Sequence, residues 1–280
     1  MQEELSYQTT APRSSVSFKL RTELSALLYL LPFLIPLLVF YIWPLIRGAW
    51  MSLHSWSIAG MQQYVGLDNY RKMLMNDDFY RYLWHTFYFV AISVPIIIAL
   101  GLVLALLVNS KLPFRTTFRS IFFLPYVLSV AVISFIWLRM FDSSRGLMNA
   151  ALGVFGISPV HWLTDPKVAW WSIVIATVWW TVGFVMVLFL AGLQEISRDL
   201  YEAADMDGAN RWEKFRYITM PGLSSVMRVQ IFFQVIAGLK LFGQVQIMTG
   251  GGPGDATNTF IRYIRSEEHT SELQSHKLIS

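Results

Sequence analysis

The chain has 280 residues, of which 55% are hydrophobic and only 14% charged, with a mean hydropathy of +0.47. A soluble domain carries about a quarter charged residues, so this composition cannot cover a water-facing surface, and it excludes a disordered chain. The net charge of +4 is too small for a nucleic-acid groove, and the lack of cysteine excludes disulfides, thiolate nucleophiles and thiolate metal sites.

A bilayer core about 30 Å thick needs about 20 apolar residues in helix. Five segments meet that requirement: roughly Leu24 to Ile46, Thr86 to Val108, Ser120 to Phe141, Val168 to Leu190 and Ser225 to Met248. None alternates apolar and polar residues as a barrel strand would, so each is expected to cross as a helix. The expected fold is an all-α polytopic membrane protein, a kinked transmembrane helix bundle. The first segment is too long for a cleavable signal peptide and lacks a small-residue cleavage site. Pro32, Pro36 and Pro44 predict kinks along it.

Loop charge sets the expected orientation. The 109–119 connection holds Lys111, Arg115 and Arg119 without an acid, which predicts a cytoplasmic loop. Alternation then places segment 1–23 and the 191–224 loop in the cytoplasm, and the 47–85 and 142–167 loops outside. Tryptophans crowd the outer boundaries, among them Trp43, Trp50, Trp84, Trp137, Trp162 and Trp170, as interface anchors do.

The long 191–224 loop predicts two short helices. Ser197 is a fair N-cap, with Asp199 and Glu202 in the turns where anions suit a helix N-terminus. Gly208 can end this helix in the left-handed conformation. A second helix is expected to reach about Tyr217 and to stop before Pro221. Trp212, Phe215 and Ile218 share its apolar face, ringed by Arg211, Lys214 and Arg216. That pattern suits either a helix lying on the membrane surface or a helix docked in a partner's groove.

Glu202-Ala203-Ala204, three residues, Gly208, nine residues, then Ile218-Thr219-Met220-Pro221 resembles the EAA motif of binding-protein-dependent ABC importer permeases. The usual motif ends Ile-x-Leu-Pro, so Met220 is a volume-conserving departure. Val65 to Tyr70, Phe118 to Pro125, Gly146 to Ala150 and Thr249-Gly250-Gly251-Gly252-Pro253 are similar to the sugar-type branch, near the maltose and glycerol-phosphate permeases. Residues 20 to 264 follow this order, which makes 24–264 the expected permease domain. The resemblance implies a multi-pass subunit of a bacterial or archaeal cell membrane, with its N-terminus in the cytoplasm and no enzymatic activity of its own. Its implied partners are a cytoplasmic ATP-binding subunit pair, a second homologous permease subunit and an extracytoplasmic solute-binding protein. The motif assigns ATPase coupling to Glu202, Ala203, Ala204, Gly208, Trp212, Phe215 and Pro221. No Walker loop is present, since Gly250 to Gly254 lacks a following Gly-Lys-Ser/Thr.

Polar side chains inside a span are costly and point to a pathway. On a continuous helix Gln230, Gln234, Lys240 and Gln244 share a sector of about 120°. Uncharged amides suit hydroxyl-rich solutes, and Lys240 suits a phosphate or a solute oxygen; the same glutamines also suit interhelical hydrogen bonding. The resemblance to maltose-type permeases adds Gly238 and Leu241, beside Lys240, as positions near the solute. His54, His85 and His161 lack metal-ligand spacing, so no metal or cofactor is expected, and no catalytic constellation is present. A stand-alone ion-coupled carrier is the competing reading, but it would want acids inside the spans, and Thr86 to Val108 and Val168 to Leu190 contain none. After Ile264 the family pattern would enter a sixth span. Residues 265–280 are instead polar and look like a translated sequencing-library adapter, so that span is expected to be truncated and the tail non-native.

Overall fold

The computed structural model describes residues 28–56, 62–110 and 114–265. Segment 1–23, Lys111 and the tail beyond Arg265 lie outside the described residues. The chain divides into two compact units at Met75 and Asn76, taken separately below.

In the first unit, helix α1 (Leu28–Met51) runs unbroken past all three prolines. The kink expected at Pro44 is absorbed by a π-helical stretch, Leu38–Ile42, immediately before it. A π turn widens the ring of backbone bonds and makes room for a residue that donates none. A hairpin follows, β1 (His54–Trp56) pairing antiparallel with β2 (Gln62–Tyr64), and then α2 (Asp68–Leu74). The Asn69 amide donates to the carbonyls of Ser52 (2.9 Å) and His54 (3.1 Å), pinning α2 to the hairpin.

In the second unit, α3 (Asp77–Asn109) and α7 (Pro166–Glu195) are the two long helices, and they pack against one another. Asn76 and Asp165 cap them by accepting from Asp78 N and Lys167 N, both at 2.9 Å. Their shared core holds Ile97, Ala105, Val185, Met186 and Phe189. Lipid tails are as apolar as these side chains, so transfer from water contributes little to the packing here; close approach does. Gly101 provides it, since a Cβ there would overlap the Val185 side chain. Gly183 likewise lets α7 lie directly on the backbone of α4 (Arg115–Val127) at Phe122.

The third expected span, Ser120 to Phe141, is not one rod. It breaks between α4 and α5 (Val130–Met140), whose axes differ by 101°. Pro125 withholds a backbone donor near the end of α4, Leu128 turns extended, and the Ser129 side chain accepts from Val132 N to start α5. The indole of Trp180 donates to the Leu128 carbonyl (3.2 Å), satisfying an acceptor freed at the corner. A short helix α6 (Leu147–Val154) leads into α7.

The fifth expected span also departs from a rod. The helix after the long loop, α9 (Arg211–Gly222), does not stop before Pro221. It passes through a π turn at Phe215–Thr219 and ends at Leu223, where α10 (Ser224–Leu239) leaves at 63°. That helix then breaks at Lys240–Phe242 before α11 (Gly243–Met248). The Thr259 hydroxyl donates to the Leu241 carbonyl (2.9 Å) at this second break. Residues 260–265 begin a further helix.

Candidate functional site

Two regions carry the residues singled out by sequence. The first is a cavity of about 290 Å³ between α3, α7, α10 and the α10–α11 break. Gln234, Gly238, Lys240, Leu241 and Gln244 all line it, beside Phe89, Ser93, Thr177, Trp180 and Thr181. Although the helix breaks at Lys240–Phe242, Gln244 lines the same space as Gln234. Gln230 is the exception: it is fully buried, its amide nitrogen lies 3.3 Å from the Val185 carbonyl, and it does not line the cavity. Its geometry is that of interhelical glue.

The cavity wall from α7 carries hydroxyls that the sequence reading passed over. Thr181 donates to the Thr177 carbonyl (2.8 Å) and Thr177 reaches the Ile173 carbonyl (2.7 Å). The Thr181 proton is thereby engaged by its own helix, which leaves the Thr181 oxygen as an acceptor. The Thr177 hydroxyl has one proton for two acceptors, the Ile173 carbonyl and Gln244 Oε1 (3.0 Å), while Gln244 Nε2 is buried without a protein partner. The signal was available in sequence as Thr177 and Thr181, one helical turn apart on an otherwise apolar span. Lys240 is the single charged residue among the described lining residues.

The 249–259 loop is tied to the α10–α11 break through Thr259 and the Leu241 carbonyl. Gly250, Gly251 and Gly254 take positive φ (59°, 86° and 54°), a conformation that only glycine adopts cheaply. The Thr249 and Thr257 hydroxyls meet at 2.7 Å, and Thr257 donates to the Gly252 carbonyl. The loop is fastened to α7 by Trp170 Nε1 on the Ala256 carbonyl (2.8 Å). It is fastened to α3 by Thr86 Oγ1, which accepts from Phe260 N (3.0 Å).

The second region is the elbow between α7 and α10. Ser197 caps α8 (Arg198–Met206) by accepting from Asp199 N at 3.2 Å, as expected. Gly208, at φ +75°, ends it, with Ala209 N bonded to the Ala204 carbonyl (2.9 Å) and Gly208 N to that of Asp205 (3.2 Å). This nested pair is a Schellman motif. Asn210 and Glu213 then form a capping box for α9, which the sequence reading missed although Asn-x-x-Glu was there to see. Lys214 pairs with Asp205 across the elbow, and Tyr201 Oη meets Thr219 Oγ1 at 2.9 Å. Glu202, Ala203 and Pro221 are exposed, and Phe215 and Ile218 are half-buried. Met206 (89% exposed) and Trp212 (67%) leave a rigid elbow with uncovered apolar side chains.

A bent apolar bundle around a polar cavity, with such an elbow between two of its helices, is the build of a membrane transport component. Residues 74–271 match the family described as the binding-protein-dependent transport system inner membrane component, and the chain belongs to it. It is 40% identical over 233 residues to the trehalose/maltose transport system permease protein MalF of Thermococcus litoralis, covering 83% of this chain and 79% of that protein. It is 34% identical over 259 residues to the lactose transport system permease protein LacF of Rhizobium radiobacter, covering 91% and 86%. The fold matches the crystal structure of a bacterial ABC transporter involved in the import of the acidic polysaccharide alginate. That match has a TM-score of 0.78 at 23% identity, over 89% of this chain and 85% of that one.

Proposed function

We propose that this chain is the permease subunit of an ABC importer for a disaccharide or short oligosaccharide. The cavity is the observation that carries this reading: amides of Gln234 and Gln244 and hydroxyls of Thr177 and Thr181 face one space. Such neutral donors and acceptors match the alternating hydroxyls of a sugar, and Lys240 supplies one further donor. The relatives named for trehalose, maltose and lactose support the same solute class.

Power comes from elsewhere in this reading. A cytoplasmic ATP-binding subunit pair receives the 198–217 elbow, with Met206 and Trp212 seated in its grooves and Glu202, Ala203, Ala204, Gly208, Phe215 and Pro221 shaping the contact. A second permease chain completes the path, and a solute-binding protein delivers to the opposite side of the membrane. Closure of the ATPase pair moves the elbow, and α10 transmits the motion to the cavity wall.

Solute-stimulated ATP hydrolysis by the assembled importer in lipid vesicles tests this. A disaccharide is expected to stimulate and glycerol phosphate to leave the rate at its basal value; the reverse would reassign the solute. Glu202→Lys is expected to abolish stimulation with the subunit still assembled. The absence of cysteine makes orientation testable too. A cysteine at exposed Ser143 should react with a membrane-impermeant thiol reagent in intact cells, and one at exposed Asn210 only after permeabilisation.

A further inference from the structure

The connection between α5 and α7 is built inside out. On α6, Leu147, Ala150, Ala151 and Val154 recur at helical spacing and are all exposed, and the turn after it exposes Phe155 and Ile157. Val154 is 83% and Phe155 79% exposed. The polar residue of the helix, Asn149, faces inward instead. Its amide donates to the Ser143 (3.2 Å) and Val160 (3.0 Å) carbonyls, and its oxygen accepts from Val160 N (3.0 Å) and Trp162 Nε1 (2.9 Å). A water-facing helix of this size would show the opposite arrangement.

Depth and charge identify what covers the exposed face. Ser172, six residues after Pro166, lies about 9 Å along the α7 axis at 1.5 Å per residue. Its hydroxyl donates to the Trp162 carbonyl (2.7 Å), and Trp162 also stacks near Phe141 with ring centroids 5.1 Å apart. The loop therefore folds back alongside the apolar part of α7 and does not stand away from it. Between Arg145 and Asp165 the sequence has no Asp, Glu, Lys or Arg. Irregular backbone at membrane depth must also satisfy its polar groups internally, which is what Asn149 does for this segment.

We infer that α6 and the turn to Ile157 are an interfacial element, immersed in the lipid leaflet at the end of the bundle where α5 stops and α7 begins. Lipid is the occupant of the Leu147, Val154 and Phe155 face. Asp142 and Arg145 on one side, and Asp165 and Lys167 on the other, mark where the segment returns to water.

Single cysteines at Val154 and Phe155, carrying nitroxide spin labels, test this in the full importer complex. The complex is reconstituted in phosphatidylcholine and phosphatidylglycerol vesicles, with a label at Ser144 as the aqueous reference. Oxygen partitions into lipid and a nickel chelate stays in water, so the ratio of their collision rates reports immersion. The ratio at 154 and 155 is expected to exceed that at 144 severalfold. A ratio equal to that at Ser144 would place the face in water and overturn the inference. Low collision with both reagents would mean a protein covers it, which overturns the inference equally. A label at Ala151, on the same face, keeps the test decisive if one variant fails to assemble.

Discussion

The elbow and the two broken spans solve the same problem, a helix that must end and restart, by opposite means. In the elbow the capping bonds come from within a few residues: Ser197 and Asn210 cap from in front, and Gly208 closes from behind. At the breaks after Pro125 and Leu239 the freed carbonyls are answered from far along the chain, Leu128 by Trp180 and Leu241 by Thr259. The difference follows from solvent. Water could hydrate the elbow if a cap were lost, whereas nothing in an apolar bundle replaces a missing partner. Local closure gives the elbow a shape set by its own neighbours. Remote closure makes each break depend on the packing around it.

The largest effect expected from that contrast is at the helix contacts on which remote closure depends. A Cβ at Gly183 would fall within the Phe122 peptide group, backbone that has no rotamer to yield. Gly183→Ala should cost about 1–3 kcal/mol or more and remove the chain from membrane fractions on immunoblot. Gly48→Ala, in α1 with no atom within 4 Å of the added Cβ, should leave its level unchanged. Equal levels for the two variants would break the contrast.

Next in size are the remote partners themselves. Trp180→Phe keeps the ring and strips the donor from Leu128, and Thr259→Val does the same for Leu241. Each should cost about 1–3 kcal/mol by leaving an acceptor unpaired, read as a lower unfolding temperature of the purified complex. In the elbow the corresponding change, Ser197→Ala, should cost about 1 kcal/mol or less because water can hydrate the freed donors.

The same contrast explains what could be read in the sequence. The elbow was legible in its Ser197 cap and its Gly208 because their determinants are neighbours in the chain; the Asn210–Glu213 box is equally local and went unread. Passage through Pro221 was not legible: it goes with a π turn at Phe215–Thr219, and the Thr219 hydroxyl meets Tyr201 eighteen positions away. The spans were legible as apolar lengths, but their breaks were not: Pro125 is visible, yet Pro95 sits inside α3 without ending it. Pro125 stands near the end of α4, where Leu128 turns extended and Trp180 takes its carbonyl, whereas α3 runs on from Pro95 to Asn109. The cavity shows the same thing. Gln234, Lys240 and Gln244 were found through their polarity, but Thr177 and Thr181 were not, because a threonine in a span reads as helix-compatible until its neighbours are known. Gln230 carries two readings in the sequence, solute path or interhelical bond, and what decides between them is Val185, on a different helix.

A subtler effect is expected at Gly208. Nothing lies within 4 Å of an added Cβ, so only its positive φ opposes a side chain. Gly208→Val should therefore cost about 1–2 kcal/mol locally and leave membrane levels near normal, unlike Gly183→Ala. Solute-stimulated ATP hydrolysis should fall sharply, because the angle between α8 and α9 is what the left-handed turn sets. Normal stimulation would show that the elbow's local closure is dispensable for coupling.

The smallest expected effect is a pH response in the loop before α6, which closes locally as the elbow does. Asp142 Oδ1 accepts from Arg145 N (2.8 Å), Ser144 Oγ (2.9 Å) and Ser144 N (3.0 Å). These bonds, the Arg145 amide first, favour the ionised carboxylate and hold its pKa below the ordinary 3.8. The sign follows from linkage. A depressed folded pKa adds stability that is complete above the unfolded value and is lost as pH falls through the folded one. The Ser144 and Arg145 amides should therefore show constant hydrogen-exchange protection, after correction for intrinsic rates, from neutral pH down to about 4. They should lose it only in stronger acid. Asp142→Ala should abolish that protection at every pH while leaving the amides of α7 unaffected, since the loop's other anchor, Asn149, makes its bonds without a titrating group. If the α7 amides loosened as well, local closure at Asp142 would be coupled to the bundle, and the division between locally and remotely closed regions would have to be redrawn there.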